Sequence, residues 1–278
     1  MRIKKLENGE MFIVASDDNE NSSPYIVKTG SNGKKFVERN TVSASYLNIS
    51  EGNSKTGEHV INFNNSIEYT CDHACECYKD GLCYAEGGCY AFAENQRRYS
   101  ENVNFFVDST SEEFIKAVQI AIDYFKFPLF RWFTCGDIIN SRFFDCMAKV
   151  AKSNPQVKFW AYTKKYTIVN HWIDENGNLP ENLTIIFSHW MNKDGTYFRM
   201  DNPYNLPTSE FIPYGKENLI DGSFHVCPCS DPTVKATCET CDRPCYNLKS
   251  GEHMALCEHS TKQTKQRDKE LKAAKAAL

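Results

Sequence analysis

Two short stretches hold ten of the 13 cysteines of this 278-residue chain. The first reads Cys71-x3-Cys75-x-Cys77-x5-Cys83-x5-Cys89, and the second Cys227-x-Cys229-x8-Cys238-x2-Cys241-x3-Cys245. Thiols this dense form disulfides, bind zinc or bind iron–sulfur clusters. An odd cysteine count fits a disulfide framework poorly. The start, MRIKKLENGEMFIV, has a charged head but a short apolar stretch, too short for a secretory leader. No run approaches the roughly eighteen apolar residues of a membrane span. The expected compartment is therefore the cytoplasm, where thiols stay reduced, and metal binding is the leading expectation.

Spacing narrows the metal without fixing it. In the second stretch, C-x2-C-x3-C wraps three thiolates around a tight loop, and Cys227 or Cys229 can close a set of four. Zinc sites more often pair two C-x2-C hairpins. The x2, x3 run is closer to cluster-binding loops, and Pro228 and Pro244 stiffen the turns. In the first stretch, Cys75 and Cys77 are too close for an ordinary zinc hairpin. One or two iron–sulfur clusters of the 4Fe-4S type are expected, with zinc as the alternative. The expected ligands are Cys71, Cys75, Cys77 and Cys83 in the first stretch and Cys227, Cys238, Cys241 and Cys245 in the second. Cys89 and Cys229 are either ligands or bystanders. His73 and His259 sit near thiols and are further candidates, although a lone histidine is more often hydrogen-bonded at the surface. Cys135 and Cys146 read as ordinary buried thiols.

The elements that must position these thiols follow from periodicity. MFIVAS and PYIVKTG read as strands joined by a DDNENSS turn. HVINFNNSIEYT reads as a strand running into the first cysteine stretch. AFAENQRRYSENV reads as a helix. In the next helix Ser109 and Glu112 have capping-box spacing, and Phe114, Val118, Ile122 and Phe125 share a face. Pro128 ends it. LFRWFT is a strand, SRFFDCMAKVAKS a helix capped by Ser141, VKFWAYT a strand, KKYTIVNHWI a helix and LTIIFS a strand. Strands alternating with helices predict βαβ units and a parallel sheet. Their near-continuous apolar runs predict burial on both faces. The expected fold class is α/β, a partial, open parallel β/α barrel. Residues 191–221 read as a polar insertion, SFHV as a short strand, EHMALCEHS as the last strand, and the Lys/Ala-rich tail as a solvated helix. The expected domains are an N-terminal β element (1–58), the partial barrel with the first cysteine stretch (59–222), a cysteine-rich module (223–260) and the tail (261–278).

Strand ends then supply candidate catalytic groups. Gly136 permits a sharp turn after LFRWFT, and Asp137 follows at the mouth. Tyr162 and Lys164 end the next strand, and Ser188 the one after. A carboxylate at such a strand end binds a cation, an amine or a ribose hydroxyl. It also makes a good helix cap. Arg131 lies inside an apolar strand and needs a partner. The net charge of -4 argues against a polycation built for bulk nucleic acid.

Together these segments resemble the phage "gene product 88" family. The motifs are SEGNSKTG before a strand, the first cysteine run with its Cys83-Tyr84-Ala85, FRWFTCGDI, VKFWAYTK, a strand ending in Ser, the Cys238, Cys241, Cys245 run and a final strand ending in His. They span Asn48 to His259. The resemblance implies a phage protein in the host cytoplasm. It also implies an iron–sulfur barrel similar to that of radical S-adenosylmethionine enzymes. The first stretch departs from the C-x3-C-x2-C spacing of those enzymes. Three functions follow as expectations. One is a redox or radical-type enzyme, with S-adenosylmethionine as a possible cofactor and a nucleotide or macromolecule as substrate. The second is a metal-stabilised module that binds a host protein or nucleic acid. The third is an electron carrier.

Overall fold

The computed structural model describes residues 2–5, 11–14, 25–29, 35–39, 46–72, 76–79, 81, 83–190, 200–213, 218, 220, 222–230 and 234–258. Cys75, His73, His259 and the Lys/Ala-rich tail lie outside the described residues.

Near the start, β1 (Arg2–Lys5) pairs antiparallel with β2 (Met11–Val14), which pairs with β5 (Tyr46–Leu47). Strands β3 (Tyr25–Thr29) and β4 (Lys35–Arg39) form a separate ribbon. The two N-terminal strands on either side of DDNENSS thus belong to different sheets.

The main sheet has eight strands. They are β6 (Ile49–Ser50), β7 (Val60–Phe63), β8 (Leu129–Trp132), β9 (Lys158–Thr163), β10 (Leu183–Trp190), β11 (Thr208–Ile212), β12 (Phe224–Val226) and β13 (His253–Cys257). Their order is β6-β7-β8-β9-β10-β11-β13-β12. All pairings are parallel except β6 with β7. The edge strands β6 and β12 do not pair with each other, so the sheet is open. Because β7 to β13 run one way, their C-terminal ends share one rim, where ligands of open α/β sheets bind.

The helices between them are α1 (Ile67–Thr70), α2 (Glu76–Lys79), α3 (Ala93–Asp108), α4 (Ser111–Phe125), α5 (Ser141–Ser153) and α6 (Tyr166–Asn176). Helices α3 to α6 cover one face. Phe106, Phe114, Phe143 and Met147 pack there against Phe63, Phe130, Trp132 and Phe159. The cysteine-rich segment covers the opposite, inner face, where Cys245 and Leu248 meet Val60, Leu129, Trp160, Ile186 and Met254. Residues 223–260 also lend the sheet β12 and β13, and β13 inserts between β11 and β12.

Several local readings need correction. Residues 191–221, read as a polar insertion, contain β11; its sequence TSEFI carries two polar residues and a carboxylate that mask its strand character. HVINFNNSIEYT is a strand only to Phe63, because Asn64, Asn65 and Ser66 turn the chain into α1. The cap of α5 is Asn140, whose side chain accepts from Phe143 N at 3.0 Å, rather than Ser141. The capping box of α4 is Thr110 with Glu113, one residue beyond Ser109 and Glu112. Thr110→Ala should therefore lower stability by about 1 kcal/mol. Ser109→Ala should leave it nearly unchanged in the same denaturant titration.

Candidate functional site

The rim is fastened by short polar side chains at the strand ends. After β7, Asn64 Oδ1 accepts from Thr134 N (2.8 Å), Thr134 Oγ1 (2.6 Å) and Cys135 N (2.9 Å). The chain after β8 can make this approach because Phe133 (φ 60) and Gly136 (φ 83) take left-handed conformations. Such a conformation is uncommon for a bulky residue. A Cβ at Gly136 would lie 2.3 Å from the Asn65 carbonyl oxygen, so glycine is required there.

Asp137 is the second fastener. It is buried, 7% exposed. Its Oδ1 accepts from Thr163 Oγ1 (2.6 Å) and Ile138 N (2.7 Å), and its Oδ2 from Lys164 N (3.0 Å). It joins the ends of β8 and β9, so its carboxylate serves the backbone rather than standing free at the mouth. Burial raises its pKa, and these hydrogen bonds only partly oppose that rise.

Above this rim lies a cavity of about 320 Å³. Cys71, Cys77 and Cys83 of the first stretch and Cys227, Cys229, Cys238 and Cys245 of the second all line it. The two stretches, far apart in sequence, converge on one space. Tyr84 ties the first to the rim by donating its hydroxyl to Thr134 O at 2.8 Å. The second is docked on the loop SEGNSKTG. Cys238 N donates to Lys55 O (3.0 Å), Glu239 N to Thr56 O (3.1 Å) and Lys55 Nζ to Cys229 O (2.8 Å). Gly57, at φ 106, leaves room for Glu239, whose Cβ would stand 2.6 Å from a Cβ at that position.

The thiols interact among themselves. Cys77 hydrogen-bonds Cys83 and lowers its pKa against the opposing effect of burial. Cys229 hydrogen-bonds Cys238, whose thiol is pulled down to about 7; burial opposes this and Arg131 assists it. Cys229 itself is raised, first by its hydrogen bond to Cys227 and then by that to Cys238. Tyr162 donates to the Cys245 sulfur at 2.8 Å, beside Met254 Sδ at 3.4 Å.

Arg131 stands among these sulfurs. It projects from β8 on the inner face, in register with Asn62 and Trp160. Its guanidinium carbon is 5.5 Å from the centre of the Tyr162 ring. Its Nε is buried without a hydrogen-bond partner. Its charged form is favoured by the Cys238 sulfur and the Tyr84 and Tyr162 hydroxyls, against a large cost of burial. No described ion pair gives it a carboxylate. Lys164 Nζ lies 3.3 Å from Ser188 Oγ and 5.6 Å from the centre of the Trp190 ring.

The structure thus brings Asp137, Tyr162, Lys164 and Ser188 to the same cavity as seven thiols. Cys229, which spacing left undecided, lines it; Cys241 is not among the lining residues, and Cys89 is exposed. Cys135 and Cys146 are buried, and burial pushes the Cys135 thiol up to about 12. Sequence reasoning did not find Lys55 or Asn64 as parts of the site. Lys55 lies in SEGNSKTG, which reads as plain loop, and Asn64 in HVINFNNSIEYT, which reads as strand. Among the described residues, no group of three or more His, Cys, Asp or Glu side chains is gathered as around a metal ion. No helix among them is long and apolar enough to cross a membrane.

These features define an α/β protein with a mostly parallel open sheet and a cavity on its C-terminal rim lined by thiols and Arg131. The chain belongs to the Gene product 88 family, a family of phage gene products, whose model matches residues 28–202, more than half of the chain. That match covers the first cysteine stretch and β7 to β10. It stops short of the second stretch, although the resemblance was expected to reach His259. No curated protein and no solved structure matches the chain.

The latch at Asp137 gives a pH test. A carboxyl raised in the folded state favours folding most below its unfolded pKa, and that contribution is lost as pH rises through its folded pKa. The stability of the wild type relative to Asp137→Asn should therefore fall as pH rises from about 4. Denaturant titrations of both proteins across that range check it, and a constant difference would contradict it.

Proposed function

We propose that the protein is an iron–sulfur protein whose cluster lies between the two cysteine stretches and performs redox chemistry at the mouth of the cavity. The observation that supports this best is the convergence of seven thiols and one part-buried guanidinium on a single space. A cluster or zinc ion held by four thiolates carries net negative charge, and Arg131 supplies the balancing cation. Thiols that hold a cluster each bind a different iron and stand farther apart than ligands of one ion. The absence of a preformed single-ion group among the described residues is therefore compatible with a cluster. Cys71, Cys77 and Cys83, with Cys75 of the same stretch, would hold one cluster. Cys227, Cys229, Cys238 and Cys245 are available for a second. A bound cluster would supply one-electron chemistry at the mouth.

The chain's own groups would tune that site. Tyr162 donates to the Cys245 sulfur, a type of hydrogen bond that adjusts ligand basicity and potential. Phe133 and Leu256 line the wall and limit water. On this reading the open sheet is a partial β/α barrel. If three thiols alone hold the first cluster, the remaining iron would be open to S-adenosylmethionine. The mutual contacts of Cys227, Cys229 and Cys238 favour a second reading for that stretch, a structural zinc site in a module that binds a host protein or nucleic acid.

Anaerobic purification followed by iron, zinc and sulfide analysis separates these readings. The expected result is a brown protein with about four to eight irons and matching sulfide. A colourless protein with stoichiometric zinc, or with no metal, would overturn the iron–sulfur reading. Cys83→Ala should lose iron from the first stretch while the circular dichroism spectrum is kept. Tyr162→Phe should keep its iron but show a lower reduction potential, because a hydrogen bond that stabilises the more negative, reduced state is gone.

A further inference from the structure

We infer that the mouth of the cavity is a phosphate-binding subsite, built by Lys164 and Ser188, that takes the anionic group of a phosphorylated small molecule. The inference goes beyond the reading above, because it stands on these side chains and not on the metal. Four cationic side chains line the cavity, Lys55, Arg131, Lys164 and Lys165, against two carboxylates, Asp72 and Asp137. Asp137 is occupied by two backbone N–H groups and the Thr163 hydroxyl. Lys55 is spent on the Cys229 carbonyl, and Arg131 faces the sulfurs. Lys164, whose charge also acts on Asp137, has at the mouth a neutral hydroxyl, Ser188 Oγ at 3.3 Å, as its hydrogen-bonded neighbour.

Both groups are held in place. Lys164 is fixed through its backbone by Asp137 and Lys165 through its backbone by Thr163 Oγ1 at 2.9 Å. The Ser188 backbone is fixed through its carbonyl by the Tyr166 hydroxyl. Helix α6, eleven residues long, begins at this point with Lys165 at its N-cap and no capping side chain. Its positive end adds to the two lysines. Arg131, which lines the same cavity with its Nε unpartnered, adds positive charge to its wall while hydrogen-bonding Cys238. Two adjacent point charges, a hydroxyl and a helix start suit a phosphate. A carboxylate is more often met by the planar fork of an arginine.

The test is isothermal titration of inorganic phosphate into the full chain with its native metal, with acetate at equal ionic strength as the comparison anion. Saturable phosphate binding without acetate binding is expected. Lys164→Ala should weaken it about ten- to a hundredfold, the loss of one charge-assisted hydrogen bond, and Ser188→Ala should weaken it less. Ser188→Ala leaves the Tyr166 contact intact, so it remains informative if Lys164→Ala fails to fold. Absence of phosphate binding, equal binding of acetate, or binding unchanged in both variants would overturn the inference. Metal analysis of the same samples keeps the two readings apart. Metal-free protein that binds phosphate through Lys164 contradicts the cluster alone, and metal-loaded protein that does not bind it contradicts the subsite alone.

Discussion

A part-buried guanidinium on the inner face of a mostly parallel sheet is the constraint around which the rest of this molecule is arranged. Arg131 leaves β8 on the inner face with apolar neighbours above and below in its strand. An uncompensated charge in such a place is costly, so negative charge must stand beside it. The groups that favour its charge are the Cys238 sulfur and the Tyr84, Tyr162 and Tyr90 hydroxyls. Sulfur provides full negative charge only as thiolate, and burial works against thiolate formation unless metal or hydrogen bonds hold it. The arginine and the cysteines therefore explain one another.

The architecture delivers those partners to the arginine. Parallel pairing from β7 to β13 puts every strand's C-terminal end on one rim. The loops that follow β7 and β12 carry the two sets of thiols. Short polar side chains then lock the rim: Asn64 holds the turn after β8, and Asp137 holds the start of the turn after β9. Helices α3 to α6 pack on the other face through Phe63, Phe114 and Phe143. They hold the sheet that aims it.

Much of this was legible in the sequence. The alternation of apolar strands with amphipathic helices pointed to the parallel α/β class, and α5 has the limits its periodicity predicts. The four polar strand-end residues do share one cavity. What stayed hidden depended on contacts distant in sequence. The TSEFI segment reads as polar because its strand character comes from pairing with β10 and β13 on either side. The capping residue of α4 was misplaced by one position, since Ser109 and Thr110 have the same chemistry and only the backbone at the helix start chooses between them. Above all, two cysteine stretches that read as separate sites line one cavity. Spacing records local geometry, and the docking of the second stretch on Lys55 and Thr56 has no local signature.

On the proposed reading, iron occupies the cavity that the two sets of thiols line, beside Arg131. Crystals of anaerobically purified protein, measured by anomalous diffraction at the iron and zinc absorption edges, test it most directly. The account predicts an iron peak inside the cavity, ligated by cysteines of the first stretch and within reach of the Arg131 guanidinium. A peak at the zinc edge alone, or a cavity with no anomalous scatterer beside ordered free thiols, would contradict it.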